Sequence, residues 1–213
     1  AIFHYRMQAD TLFYIAILIM SVVIHEVSHG YVANILGDPT ARLAGRLTLN
    51  PIPHIDLVGS IIVPLVLIMT NPGILFGWAK PVPYNPQNLK NERWGSVMVG
   101  AAGALSNLLM ALIFGLVVRW GVVYGLSDAF LKISQIIVVV NLLLAIFNLL
   151  PVPPLDGAKV LFGLLPQRFQ YIESILEQYW YIPFMLVLFF GWAVISPAMG
   201  FLYTLFTGQG LSL

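Results

Sequence analysis

Residues 22–33 read VVIHEVSHGYVA, and His25, Glu26 and His29 interrupt an apolar run that begins at Thr11. Histidines four apart lie on one face of a helix, one turn from each other, so their imidazoles can share one metal ion. Glu26 is rotated about 100° from His25, close enough to reach a water at that ion without being a ligand itself. His-Glu-x-x-His on a helix is a zinc hydrolase arrangement: two nitrogen ligands and one general base. Even on a polar surface helix chance is the minority reading of this spacing. Inside a membrane segment a carboxylate costs a few kcal/mol and marks function by default.

Two histidines leave a site incomplete, because a catalytic zinc takes three protein ligands and keeps one position open. The remaining histidines are His4 and His54, and acids are few. Asp156, in NLLPVPPLDGAKV, is the best candidate. Alone, an aspartate opening a helical stretch reads as an N-cap. What favours a ligand is its place at a membrane edge in a chain that needs one. His54, in a proline-rich loop, reads as a polar interfacial residue. Asn107 and Asn141 read as hydrogen-bonding groups between neighbouring membrane helices.

The elements that must position these residues are set by composition. Charged residues are 9% of the 213 and hydrophobic residues 59%, against about 25% charged in a soluble domain. Mean hydropathy is +0.89. The chain is an integral membrane protein. The net charge of +1 is uninformative, and nothing in the sequence resembles a nucleic-acid-binding patch. With no cysteine, disulfides, thiolate zinc sites and iron–sulfur clusters are excluded. The first apolar segment has no small-residue cleavage site and reads as a retained helix.

Four segments are long enough to cross a hydrocarbon core: about 11–35, 95–123, 130–150 and 179–206. The last contains Pro183 and Pro197 and should be kinked or divided. A fifth apolar stretch, 57–77, is interrupted by Pro64 and by a turn signal from Thr70 to Gly73, which fits a bent or re-entrant element. RLTLN (46–50) and KPVPYN (80–85) read as short strands, the second an edge strand. They could hold an unwound substrate as an added strand.

HEVSH in the first apolar helix, then GDPTARLAGRLTLNPIPHID, then NLLPVPPLDG, resembles the site-2 protease family of intramembrane zinc metalloproteases. Within it the chain looks like the compact prokaryotic members without a PDZ domain, over about residues 20–165. The resemblance implies that His25, His29 and Asp156 ligate zinc, that Glu26 is the catalytic acid/base, and that Asn148 stands by the active site. By its residue type Asn148 could simply end its helix; read as functional, it donates to the developing oxyanion. Family members often carry Gly-Pro-x-x-Asn in a later core helix. Here Gly103-Ala104-Leu105-Ser106-Asn107 lacks the proline.

The ligand assignment makes a demand that charge can check. If 57–77 turns back, Asp156 returns to the side of His25 and His29. Seven basic residues (Arg42, Arg46, Lys80, Lys90, Arg93, Lys159, Arg168) then lie on that side and three (Arg6, Arg119, Lys132) on the other. The positive-inside rule makes the first side cytoplasmic.

The expected fold is an all-α polytopic membrane protein of about four to six transmembrane or re-entrant helices, with a short β element at the cytoplasmic side. It forms one membrane-embedded domain over 1–213, with a catalytic core of about 11–165 and a kinked helix or helix pair at about 179–206. The expected activity is zinc-dependent hydrolysis of peptide bonds within or near transmembrane segments, with one Zn2+ per chain, a transmembrane protein as substrate, the lipid bilayer as surroundings, no nucleic acid and no stated oligomeric state. The site faces the cytoplasmic side of the cell membrane. One rival is a metal-binding or metal-transport protein using the same ligands, which leaves Glu26 without a purpose. Another is a prenyl-protein peptidase, which would share only the His-Glu-x-x-His.

Overall fold

The computed structural model describes residues 2–70 and 77–211. Its longest elements are α1 (Ile2–Ile35), α4 (Glu92–Gly121) and α5 (Asp128–Asn148). Between them lie α2 (Thr40–Leu43), a π-helical turn at Leu57–Ile62 and α3 (Val63–Thr70). After α5 come α6 (Asp156–Leu164), α7 (Gln170–Gln178), α8 (Tyr181–Phe190) and α9 (Trp192–Thr207). Phe13–Ile35, α4 and α5 are each long and apolar enough to cross a bilayer, and α8 with α9 forms a fourth such path bent by 59°. The chain is therefore a multi-pass membrane protein.

The caps explain where the long helices begin. Asn91 and Ser127 each accept a hydrogen bond from the main chain three residues on, at Trp94 N and Phe130 N. Helix α4 is central and packs on α1, α5, α6 and α9. Ala111, Val138, Leu142 and Tyr203 join α4, α5 and α9 in one buried cluster. Outward-facing Leu105, Leu109, Leu186, Phe189 and Phe201 are exposed, as suits a chain whose solvent is lipid.

The bend between α8 and α9 falls at Gly191, not at a proline. Pro183 sits in the first turn of α8, where a missing N–H breaks no bond, and Pro197 lies within α9. At Gly191 the chain folds so tightly that a Cβ would lie 2.4 Å from the Val187 carbonyl oxygen.

The fifth apolar stretch returns to the end from which it started. Trp78 N donates to Gly59 O at 3.1 Å, Ser60 Oγ donates to Trp78 O at 2.8 Å, and Lys80 N donates to His54 O at 2.9 Å. A Cβ at Gly59 would lie 2.3 Å from the Trp78 ring, so glycine is what lets the two limbs touch. The turn expected from Thr70 to Gly73 runs into residues 71–76, outside the described residues.

No strand forms among the described residues, which corrects the expected β element. At 46–50 local bonds stand in place of a ladder: Arg46 N donates to Ala41 O, Thr48 Oγ1 accepts from Asn50 N, and Asn50 Oδ1 accepts from Ile52 N. That local bonding favours a turn over a ladder. Residues 80–85 are extended but unpaired. Pro81 and Pro83 have no N–H, and the donors of Lys80, Val82 and Asn85 go to His54 O, Glu26 Oε2 and Asp38 Oδ2. With those donors spent, this strap is a poor edge for capturing a substrate strand.

Asp38 anchors the far end of the strap. It is fully buried and accepts from Thr40, Asn85 N and Asn88 Nδ2. Burial alone would push its carboxyl up, but the donors of Asn88, Thr40 and Asn85 outweigh it and hold it below the usual carboxylate range.

Candidate metal centre

Helix α1 places His25 and His29 on one face, their rings 4.7 Å apart between centroids and nearly perpendicular at 84°. The loop after α5 then turns the chain back through Pro151, Pro153 and Pro154, so that Asp156 opens α6 against them. Asp156 is the first residue of its helix, and Leu155 occupies the cap position without a side-chain bond. Asp156 is therefore not an N-cap. Its Oδ2 lies 3.1 Å from Nε2 of both histidines. One ligand atom from each of His25, His29 and Asp156 falls within 4.8 Å of the others, and all three residues are buried.

The other ring nitrogens decide what this cluster can hold. His29 Nδ1 lies 2.6 Å from Val99 O, and a main-chain carbonyl can only accept, so Nδ1 carries the proton. His25 Nδ1 lies 2.7 Å from Asn107 Oδ1 and donates there. Both Nε2 atoms then present lone pairs toward a carboxylate oxygen. The Lys159 ammonium beside Asp156 favours its anionic form. Three acceptors facing one point, with the second nitrogen of each histidine tied to an outer partner, fit a divalent cation.

The space for an ion is kept open by α4. A Cβ at Gly103 would lie 2.5 Å from His25 Nε2 and 2.5 Å from His29 Nε2. Gly157 is equally constrained, since a Cβ there would meet Leu149 O at 2.3 Å. Glycine at 157 lets α6 tuck under the end of α5 and brings Asp156 inward.

Beside the cluster is a cavity of ≈ 160 Å³ lined by His25, Glu26, His29, Asp156 and, opposite them, by the strap, Asn148 and Lys159. Glu26 Oε2 accepts from Val82 N at 2.9 Å, which fixes the carboxylate at the cavity wall. Gly30 permits this approach, because a Cβ there would lie 2.8 Å from Val82 Cγ1. Lys159 Nζ is 3.3 Å from Asp156 Oδ1, on the side away from the histidines. Asn148 reaches the cavity, with one amide N–H donated to Leu144 O at 2.9 Å.

Two residues behave otherwise than the sequence suggested. Asn107 does more than bridge helices: it holds His25. Its signal was available, since Asn107 stands one turn beyond Gly103 on the same face of α4. The missing proline at Ala104 leaves both positions in place. His54 keeps its place in the proline-rich loop but is packed inside it, 2% exposed, with Nε2 lying 3.0 Å from Thr48 O.

Comparison with known proteins decides the family. Residues 124–191 match the family model of peptidase family M50. The provisionally named zinc metalloprotease YwhC of Bacillus subtilis is 39% identical over 176 residues, covering 80% of this chain and 77% of that protein. The chain belongs to peptidase family M50.

As an M50 peptidase with several apolar helices it is an intramembrane zinc metalloprotease, and the metal-transport alternative is not favoured. Rip2 of Mycolicibacterium smegmatis, also provisionally named a zinc metalloprotease, is 34% identical over 144 residues, 65% of this chain and 52% of that one. Zinc metalloprotease MJ0392 of Methanocaldococcus jannaschii is 22% identical over 158 residues, 74% of this chain and 36% of that one. The chain thus spans about half and about a third of those two longer relatives. No solved structure matches.

Proposed function

We propose that this M50 peptidase cuts membrane-protein segments at a single zinc held by His25, His29 and Asp156, with Glu26 as acid/base. The observation that carries the reading is the convergence of two Nε2 lone pairs and one carboxylate oxygen within 4.8 Å, each histidine's Nδ1 already engaged. A bound zinc supplies Lewis-acid polarisation of a carbonyl and brings the pKa of water toward neutrality. Glu26, steadied by Val82 N, takes the proton of the attacking water and returns it to the leaving amine. Asn148 has a second amide N–H to offer the developing oxyanion. Residues 11–165 form the catalytic core within one domain, and α8 with α9 packs beside it.

The form of substrate that can react follows from helix geometry. In an intact helix each backbone carbonyl is bonded to an N–H four residues on and shielded by side chains, so it is not free for attack. A transmembrane substrate must present an unwound stretch. Glycine or proline near the scissile bond lowers that cost, by about 1 or 3 kcal/mol relative to alanine in a helix interior. The reading is tested with a single-span reporter in proteoliposomes. Cleavage should stop on chelation and return with zinc; cleavage that survives complete removal of the metal contradicts it.

The site faces the cytoplasm. Asp156 lies at the same end as the C-terminus of α1, where Lys90 N donates to Leu36 O, and Arg119 lies at the other end, donating to Leu205 O. The basic residues favour the first end seven to three. Gln87 is exposed in the turn just beyond the strap, and the chain has no native cysteine. Gln87→Cys should therefore be labelled by an impermeant thiol reagent only from the cytoplasmic face. Labelling only from outside would reverse the assignment.

A further inference from the structure

Asn107 is itself held, by residues that do not line the cavity. Its Nδ2 donates to Asn141 Oδ1 at 2.8 Å and to Ser21 O at 3.3 Å. Asn141 Nδ2 donates in turn to Ile137 O at 2.8 Å and to Ser21 Oγ at 2.9 Å. Asn107 and Asn141 are both 0% exposed. The chain of bonds therefore runs from α5 through α4 to His25 on α1, with no bulk water to substitute for a lost partner.

The direction of this chain is fixed by two carbonyls. Ser21 O and Ile137 O can only accept, so each must face an amide nitrogen. That choice places Asn141 Oδ1 toward Asn107 and Asn107 Oδ1 toward His25. Turning either amide over would set an acceptor against a carbonyl inside a dry core, which is costly. With an acceptor at its Nδ1, a neutral His25 must carry its proton there and leaves Nε2 bare.

The alternative tautomer has its own attraction. With the proton on Nε2, His25 would donate to Asp156 Oδ2, 3.1 Å away, and two ligand groups would satisfy each other instead of a metal. We propose that Asn141, through Asn107, decides this competition. It is a positioning residue that keeps His25 in the metal-binding tautomer. The proposal rests on His25 being a zinc ligand.

The experiment uses the full chain in detergent micelles, with 15N-labelled histidine and zinc affinity measured by chelator competition. The metal-free, unsubstituted protein should show His25 protonated at Nδ1. In Asn141→Leu the Asn107 amide loses its stronger anchor. His25 should then gain the Nε2-protonated form, and zinc should bind about 10–100-fold more weakly, the range found when outer partners of metal ligands are removed. Asn141→Ala replaces it if leucine does not pack. In an Asn107→Ala background, Asn141→Leu should weaken zinc no further, because its effect passes through Asn107.

An Nε2-protonated His25 in the unsubstituted protein would overturn the proposal. So would unchanged zinc affinity and tautomer in the Asn141 variants, or additive losses in the double variant. Failure of the unsubstituted protein to bind zinc at all would overturn the metal-site reading, and the relay with it. Normal zinc binding that ignores Asn141 would overturn the relay alone.

Discussion

Gly103→Ala should strip zinc from the protein while leaving its helices intact. The added methyl would stand 2.5 Å from Nε2 of each histidine, closer than side-chain carbons approach such atoms. The rings cannot simply swing aside, because Asn107 Oδ1 and Val99 O hold their far nitrogens at 2.7 and 2.6 Å. Overpacking of this kind costs about 1–3 kcal/mol, which at the upper end weakens binding on the order of 100-fold. The same substitution favours the helical backbone by about 0.5–1 kcal/mol. Metal affinity and helix stability should therefore move in opposite directions, a pattern that general misfolding would not produce. Zinc affinity by chelator competition, measured alongside thermal unfolding by circular dichroism, checks this. Unchanged affinity would mean that α4 withdraws to make room.

Glu26→Gln should have the opposite signature: zinc retained and cleavage lost. The carboxamide has nearly the shape of the carboxylate, and its oxygen can still accept from Val82 N, now at 2.9 Å from Oε2. It cannot take a proton from water. Positioned acid–base groups contribute about 10²–10⁴-fold, so kcat should fall by that factor with little change in KM. The comparison of turnover and metal content in one preparation separates this role from a structural one. A Glu26→Gln protein that cleaves at the unsubstituted rate would remove Glu26 from the chemistry.

Legibility differed between parts of the molecule for physical reasons. His25, Glu26 and His29 could be read because a single helix fixes their relative placement, and 3.6 residues per turn needs no tertiary information. The long spans could be read because bilayer thickness fixes their length. Asp156 could be guessed from local chemistry and from the ligand still missing, although its approach to α1 depends on Gly157 passing beneath Leu149. The strap could not be read. Its donors are taken by Glu26, Asp38 and His54 from distant parts of the chain, and that left nothing for a sheet. The role of Gly103 was hidden for the same reason: a glycine in an apolar helix shows its purpose only when its neighbour is known to be an imidazole. The bend lies at Gly191 rather than at Pro183, which stands in a first turn where a missing N–H breaks no bond, or at Pro197, around which α9 continues.

The central claim is that His25, His29 and Asp156 together hold one zinc. Elemental analysis of the purified full chain and of Asp156→Ala tests it most directly. The unsubstituted protein should contain about one zinc per chain, the content of a single three-ligand site, and the Asp156→Ala protein should lose it. Zinc at the unsubstituted level in Asp156→Ala would place the third ligand elsewhere and contradict the account.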